Sequence, residues 1–262
     1  MVIFLNPIGQ INYLNYKKVK KKYIRILFLS ILISIGCGLS DSPSKKEIKR
    51  LTKDLKSKDP EVRSNAAFAL GGKKNEAQNA VPFLVKALKD KDRNVRINAV
   101  LALGLIGKGA ANAIPTLVEL LKDPNPDVRE YSAYAVGRIK KGAVVAIPSL
   151  IRSLQDENTS VRISSIWALG AIGPEAKDAT PAIIQSLQDD DRDVRLNAII
   201  ALGDIGTEDS IPALAKTLAQ PSEDWSILDS AVDSLNRIGT PKAIQEIKYF
   251  QQKNREIGSF NF

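Results

Sequence analysis

The segment "VRINAVLALGLIG" at residues 95–107 recurs along the chain at a constant interval of 33 residues. The counterparts of its glycine are Gly71, Gly104, Gly137, Gly170, Gly203 and Asn236, and those of its first valine are Val62, Val95, Val128, Val161, Val194 and Ile227. A fixed period of this length indicates a repeat architecture, in which each unit buries its apolar face only by stacking on its neighbours. The sequence therefore predicts about six copies of one unit.

Each unit is predicted to consist of two helices. Apolar residues recur at helical spacing in the quoted segment, for example Val95, Ala99 and Leu103. The second helix has N-capping residues before it and glycines after it: Asp59, Asp92, Asn125, Asn158, Asp191 and Asp224 before, and Gly107, Gly173, Gly206 and Gly239 after. The first helix opens at a proline, which is tolerated in a first helical turn: Pro82, Pro115, Pro148, Pro181 and Pro212. This pattern predicts an all-α protein.

Both ends of the array have the polar character that a stack of repeats needs where it meets water. The first helix of repeat one, "KKEIKRLTKDLKSKD", is polar, and a final helix starting at Thr240 and Pro241 would close the stack. We predict a repeat domain over 45–253, with repeats at about 45–78, 79–111, 112–144, 145–177, 178–208 and 209–239, a cap at 240–253 and a tail at 254–262. An ankyrin array shares the period, but its "TPLHxA" signature is absent.

The units "NPDVREYSAYAVGRI" (125–139), "NTSVRISSIWALGAIG" (158–173) and "DRDVRLNAIIALGDIG" (191–206) resemble the short HEAT-like repeats of phycobilisome (PBS) lyase proteins. The resemblance covers roughly residues 44–250. It implies a right-handed α-solenoid of about six 33-residue HEAT-like helix pairs plus a C-terminal capping helix.

HEAT proteins are also known for an Asp and an Arg, six residues apart, that bond between adjacent repeats. The pairs that match this pattern are Asp90 and Arg96, Asp123 and Arg129, Asp156 and Arg162, and Asp189 and Arg195. A guanidinium fork can satisfy carboxylates and turn carbonyls together, so we expect a structural ladder. Repeat one has Ser57 before Arg63, and repeat six has Leu228 at the position of the ladder Arg, as expected where the ladder ends.

The second helices of a solenoid usually line its concave surface, where positions outside the core can bind a partner. The candidate partner-binding residues are Phe68, Ile97, Asn98, Leu101, Tyr131, Tyr134, Ile163, Trp167, Asn197 and Ile200. An aligned apolar row of this kind favours a protein or peptide partner. The alternative is that tight curvature buries the row as core. Glu130, Asp204 and Asp233 are interpreted as solvated charges.

The composition excludes much catalytic chemistry. The chain has no His and one Cys, so the usual zinc, non-haem iron, Ser-His and Cys-His machinery lacks an essential member, and the His-Glu pairs of deoxyhypusine hydroxylases cannot form. We assign no catalytic residue, metal or cofactor. Six of the 38 Lys and Arg residues and none of the 29 Asp and Glu residues lie in 1–36, which leaves a net +3 for the remainder and argues against nucleic acid.

Two function classes remain open at this point. The first is a non-catalytic protein-interaction scaffold tethered to a membrane. The second is a phycobilisome-related bilin lyase subunit or antenna-degradation factor, acting on phycobiliproteins in the cytoplasm. If the protein is an enzyme, we expect it to be a subunit of the PBS lyase type.

The N-terminal segment has the grammar of a signal peptide. The basic run "KKVKKKYIR" (17–25) is followed by an apolar run at 26–35 and by Gly36 and Cys37. Ten residues of helix span about 15 Å, too short for a bilayer core of roughly 30 Å. The run "ISIGC" resembles the lipobox of bacterial lipoproteins, which implies lipidation at Cys37, an extension and signal peptide at 1–36, a tether at 37–44, and an exported, membrane-anchored protein facing the periplasm or cell exterior. The alternatives are a lone buried cysteine and a cytoplasmic protein.

Overall fold

The computed structural model describes residues 45–140, 142–220 and 225–256, and the leader with Cys37 lies outside these ranges. Within them every regular element is helical. The α-helices are α1 (Lys45–Asp54), α2 (Pro60–Gly72), α3 (Val81–Ala87), α4 (Arg93–Ile106), α5 (Ile114–Leu120), α6 (Pro126–Ile139), α7 (Ile147–Ser153), α8 (Thr159–Ile172), α9 (Thr180–Ser186), α10 (Arg192–Ile205), α11 (Ile211–Ala219), α12 (Trp225–Ile238) and α13 (Pro241–Glu256). The odd-numbered helices up to α11 are the first helices of the six repeats, and the even-numbered ones are the second helices.

Local capping sets the start and end of the second helices as the sequence predicts. Side-chain oxygens accept hydrogen bonds from first-turn N–H groups at Asp59, Asp92, Asn125, Asn158 and Asp191. The predicted cap Asp224 lies outside the described residues. Gly107, Gly173, Gly206 and Gly239 end their helices with positive φ values of 65°, 84°, 73° and 67°. These backbone conformations favour glycine because a Cβ would be strained there.

The connections between repeats contain short 3-10 helices that the sequence analysis did not anticipate. They lie at Lys74–Ala80, Gly107–Ala113, Ala143–Ala146, Gly173–Ala179 and Glu208–Ser210. Repeats one and three have lysine where repeats two and four have the terminating glycine, and Lys74 and Lys140 still adopt positive φ values of 49° and 56°. The repeat geometry therefore forces the turn even where the side chain disfavours it.

The helix pairs stack into an α-solenoid, and a C-terminal helix closes the stack. Apolar side chains from both helices of each pair form one continuous core, in which Leu84, Leu103 and Leu117 are fully buried. Helix α13 closes this core with Ala243 and Ile247. It continues to Glu256, beyond the cap end predicted at 253.

One helical stretch, Arg93–Leu120, is long and apolar enough to cross a membrane by length and composition alone. It comprises α4, a 3-10 helix and α5, with a bend marked by the positive φ of Gly107 and by non-helical dihedrals at Ala110. Because half of the most apolar part of this stretch is buried inside the repeat stack, we interpret the stretch as core.

Candidate partner-binding surface

The second helices of neighbouring repeats pack directly against one another, from α2 through α12. The first helices pack instead against the 3-10 segment of the following repeat. A stack with one closely spaced layer curves towards that layer, so the second helices line the inner side. We call their solvent-facing side the inner helix face.

Small residues permit this close spacing. A Cβ built on Gly71 would lie 2.8 Å from the Ala102 Cα, and one built on Gly203 would lie 2.7 Å from the Ser234 Cα. Both separations are below the 3.5–4.0 Å of normal carbon contact, about which dispersion attraction is best. A side chain at these glycines would therefore push adjacent repeats apart.

The Arg–Asp ladder lies along the turns between first and second helices and has the same geometry in successive repeats. In each of four steps, an arginine donates from Nε and Nη2 to both carboxylate oxygens of the aspartate 27 residues later: Arg63 to Asp90, Arg96 to Asp123, Arg129 to Asp156 and Arg162 to Asp189. These distances lie between 2.7 and 3.1 Å. Nη1 donates to the turn carbonyl six residues earlier, as in Arg96 to Asp90 at 2.9 Å. Each guanidinium thus joins its own turn to the next repeat.

Three of the ladder aspartates have lowered pKa values. The hydrogen bond from Arg63 lowers the pKa of Asp90 below its ordinary value of 3.8. At Asp156 and Asp189 burial raises the pKa. Hydrogen bonds from Arg129 and Arg162 and from backbone N–H groups, with the charges of the arginines, together lower it by more, so both pKa values also lie below 3.8. Bidentate, charge-assisted bonds of this kind are among the stronger polar contacts in proteins.

Both ends of the ladder differ from the sequence expectation. Arg63 is a full member although Ser57 precedes it, because its carboxylate partner comes from repeat two. Arg195 donates to the backbone carbonyls of Asp189 and Asp190 and, within the described residues, to no carboxylate. Position 222, where the next aspartate would lie, is serine.

The apolar row on the inner helix face is neither a fully exposed groove nor a buried core. The rings of Tyr134 and Trp167 stack with centroids 4.9 Å apart and an interplanar angle of 25°. Trp167 also covers Gly137, where a Cβ would lie 2.6 Å from Cζ3 of the indole. Both rings are half-buried, whereas Phe68 in repeat one is 45% exposed. One face of the row is therefore packed between repeats and the other is open to solvent.

The other candidate residues occupy the same face with different local contacts. Ile97, Leu101, Tyr131, Ile163 and Ile200 are half-buried. The amide of Asn98 donates to the Ser64 hydroxyl of the preceding repeat at 2.8 Å, and the amide of Asn197 donates to the Asp193 carbonyl of its own helix at 2.8 Å. Asn98 therefore also has an inter-repeat structural contact.

The expectation that three inner carboxylates are solvated is wrong for one of them. Glu130 is only 6% exposed, and its helix α6 packs between α4 and α8. Asp204 forms an ion pair with Arg237. Asp233 is exposed and lines a cavity between repeats five and six. In the described parts of the chain, no three His, Cys, Asp or Glu side chains are placed to hold a metal ion.

Comparison with known proteins gives a match in family and fold. A family model described as HEAT repeats matches residues 48–137, 114–190, 147–224 and 180–254. Among curated proteins there is no significant sequence match.

Similar solved structures are both natural and engineered. An engineered protein has a TM-score of 0.60 and 25% identity, over 74% of this chain and 96% of its own. The complex of CpcE and CpcF of phycocyanin lyase from Nostoc sp. PCC7120 gives a TM-score of 0.57 and 27% identity, over 80% of this chain and 84% of that one. A designed armadillo repeat protein in complex with the peptide (KR)4 gives 0.62 and 20% identity over 73% and 99%, a likeness of fold alone.

Proposed function

Since the chain belongs to the HEAT repeat family, we propose that it is a non-catalytic scaffold that binds a protein or peptide along its inner helix face. The observation that carries the proposal is the stacked, half-open pair Tyr134 and Trp167 at the centre of a row of apolar side chains. The proposed contact residues are Phe68, Ile97, Asn98, Leu101, Tyr131, Tyr134, Ile163, Trp167, Asn197 and Ile200.

The packing of side chains within the apolar row favours binding of a partner. Rings held between repeats lose little side-chain freedom when a partner covers them, so more of the contact energy contributes to affinity. Aromatic anchors of this type often act as hot spots, with truncation costing about 2 kcal/mol or more, roughly 30-fold in affinity. Contiguous apolar surface that is exposed to water commonly marks an interaction site, and a bound partner would remove this row from water.

The test is selection from a phage-displayed peptide library on the immobilised repeat domain. Trp167→Ala is a poor probe, because the indole covers Gly137 and its loss would also weaken the fold. The better variant combines Phe68→Ser, Leu101→Ser and Ile200→Ser, and it should retain its helical circular dichroism but lose selected peptides at least tenfold.

The matched control changes exposed apolar side chains elsewhere. Val144 and Val145 lie on the 3-10 segment after α6 and are 51% and 66% exposed. The double variant Val144→Ser and Val145→Ser should bind the selected peptides like the wild type. Peptides that bind all three proteins equally would refute the inner helix face as the binding surface.

We further propose that the scaffold is exported and anchored by lipid at Cys37. This proposal is supported by the order of the segments, which resembles that of a bacterial lipoprotein precursor: a basic run at 17–25, an apolar run at 26–35 and the Gly36–Cys37 junction. Intact-mass analysis of the native protein from membrane and soluble fractions tests it. An acylated N-terminal Cys37 is expected; an unprocessed soluble chain would refute the anchor.

A second candidate function is that of a phycobilisome-related lyase subunit in the cytoplasm. The likeness in fold and sequence to the phycocyanin lyase complex favours it. Mixing the protein with free bilin and apo-phycocyanin, and following the bilin absorption spectrum, tests this function. An absorption change that requires the protein would support it, and an unchanged spectrum would leave the scaffold.

A further inference from the structure

The chemistry of the inner helix face changes at repeat six. The position held by an apolar residue in repeats one to five, such as Trp167 and Ile200, is Asp233 in repeat six, and Asp229 precedes it by one helical turn. Between repeats five and six the surface deepens into a cavity of about 520 Å³. Its lining is Ile200, Ser230, Asp233, Asn236 and Arg237. The apolar row therefore leads into a cavity that has the carboxylate of Asp233 on its wall.

The negative charge of this wall is not neutralised within the cavity. Arg237 lines it, but its guanidinium is bound to Asp204 and to the Ser234 hydroxyl. Partial desolvation at the cavity wall and the charge of Asp229 raise the pKa of Asp233, although its side chain stays exposed, and Arg237 only partly opposes them. A cation arriving from a partner would relieve this unfavourable charge arrangement.

We propose that this cavity binds a lysine or arginine side chain of an extended peptide whose apolar side chains lie along the preceding repeats. The inference rests on the proposed function and specifies its partner. Ile200 on the cavity wall can pack against the aliphatic stem of the basic side chain, while Asp233 on the same wall faces its charged head. The charge of Asp229, one helical turn before Asp233, adds to the attraction from outside the lining. Adjacent helices are about 8–10 Å apart and an extended chain rises about 3.3 Å per residue, so roughly three peptide residues span one repeat.

The experiment selects peptides from the same phage library on three proteins. One is the wild-type repeat domain, the second carries Asp229→Asn and Asp233→Asn, and the control carries Glu208→Gln and Asp209→Asn, exposed carboxylates on the 3-10 segment before α11. We expect the wild type and the control to enrich peptides with Lys or Arg about three residues from an apolar residue. The Asn variant should lose the basic preference and bind the selected peptides at least tenfold more weakly.

A charge-reversed variant separates this outcome from misfolding. Asp233→Lys should select an acidic residue in place of the basic one. Apolar peptides that depend on Leu101 and Ile200 but show no basic preference on the wild type would overturn this inference and leave the scaffold intact. Failure to enrich any peptide that depends on the inner helix face would overturn the proposed function itself.

Discussion

Replacing Gly71 by alanine should destabilise the repeat stack, whereas the same change at the adjacent Gly72 should stabilise it. The new methyl carbon at position 71 would lie 2.8 Å from the Ala102 Cα and 3.3 Å from Cδ1 of Leu105, but at position 72 nothing lies within 4 Å. Overpacking of this kind typically costs about 1–3 kcal/mol. Helix propensity returns up to about 1 kcal/mol at either site. The two variants should therefore differ by about 2 kcal/mol.

Urea unfolding followed by far-ultraviolet circular dichroism measures this difference through the midpoint of each variant. A graded series extends the reasoning, because a Cβ on Gly104 would lie 3.3 Å from the Ala135 Cα and one on Gly203 would lie 2.7 Å from the Ser234 Cα. Gly203→Ala should be the more damaging of the two. If Gly71→Ala and Gly72→Ala stabilise the protein equally, the second helices can separate freely, and small residues do not set the spacing of the inner layer.

Further predictions concern the ladder and two unfavourable local features, the positive φ of Lys140 and the buried hydroxyl of Ser165. Arg129→Lys should cost about 2 kcal/mol of unfolding free energy, since lysine cannot span both oxygens of Asp156; Arg195→Lys, without a carboxylate partner in the described residues, should cost less in the same urea titration. Burial raises the pKa of Asp156, but the hydrogen bonds from Arg129 and the Asn158 N–H, together with the charges of Arg129 and Arg162, lower it by more. The carboxylate therefore stabilises the fold above about pH 4, and that contribution is lost as the pH falls through its lowered pKa. Asp156→Asn should accordingly show a shallower loss of stability than wild type in urea titrations from about pH 6 to about pH 2. Lys140→Gly should raise the urea midpoint, because a φ of 56° costs a residue with a side chain about 1–3 kcal/mol. Ser165→Ala should do the same, because the buried hydroxyl has no hydrogen-bond partner in the described structure and such groups cost about 1–3 kcal/mol; an unchanged midpoint would contradict either assignment.

The features that the sequence predicted correctly depend on chemistry within a few residues. A cap such as Asp92 acts on the N–H groups of Asn94 and Val95, and a terminating glycine such as Gly107 acts through its own backbone. Because these local signals recur every 33 residues, they also identify the helix pairs and the solenoid.

The errors concern contacts between repeats, which local spacing does not specify. The Arg–Asp ladder was predicted to join adjacent repeats and does so. Local spacing left its register open: the Asp six residues before an Arg supplies the backbone carbonyl, and the carboxylate comes from the next repeat. Arg63 could have been found by counting 27 residues forward to Asp90. The burial of Glu130 was not predicted, because a charged residue at this spacing is ordinarily solvated and only the structure shows it to be covered.

The separation of the ladder from the inner helix face explains how one repeat can vary while the stack is maintained. The Arg and Asp side chains lie at the turns before the second helices, and Gly–Ala contacts fix the helix spacing. The exposed edge of the inner row is used by neither. Repeats three and four can therefore present the stacked rings of Tyr134 and Trp167 while repeat six presents Asp233, without changing the Arg–Asp ladder or the small-residue contacts that set the helix spacing. A partner would recognise the order of side chains along the stack, so exchanging inner helix face residues other than Asn98, Tyr134 and Trp167 between two repeats should alter specificity more than stability.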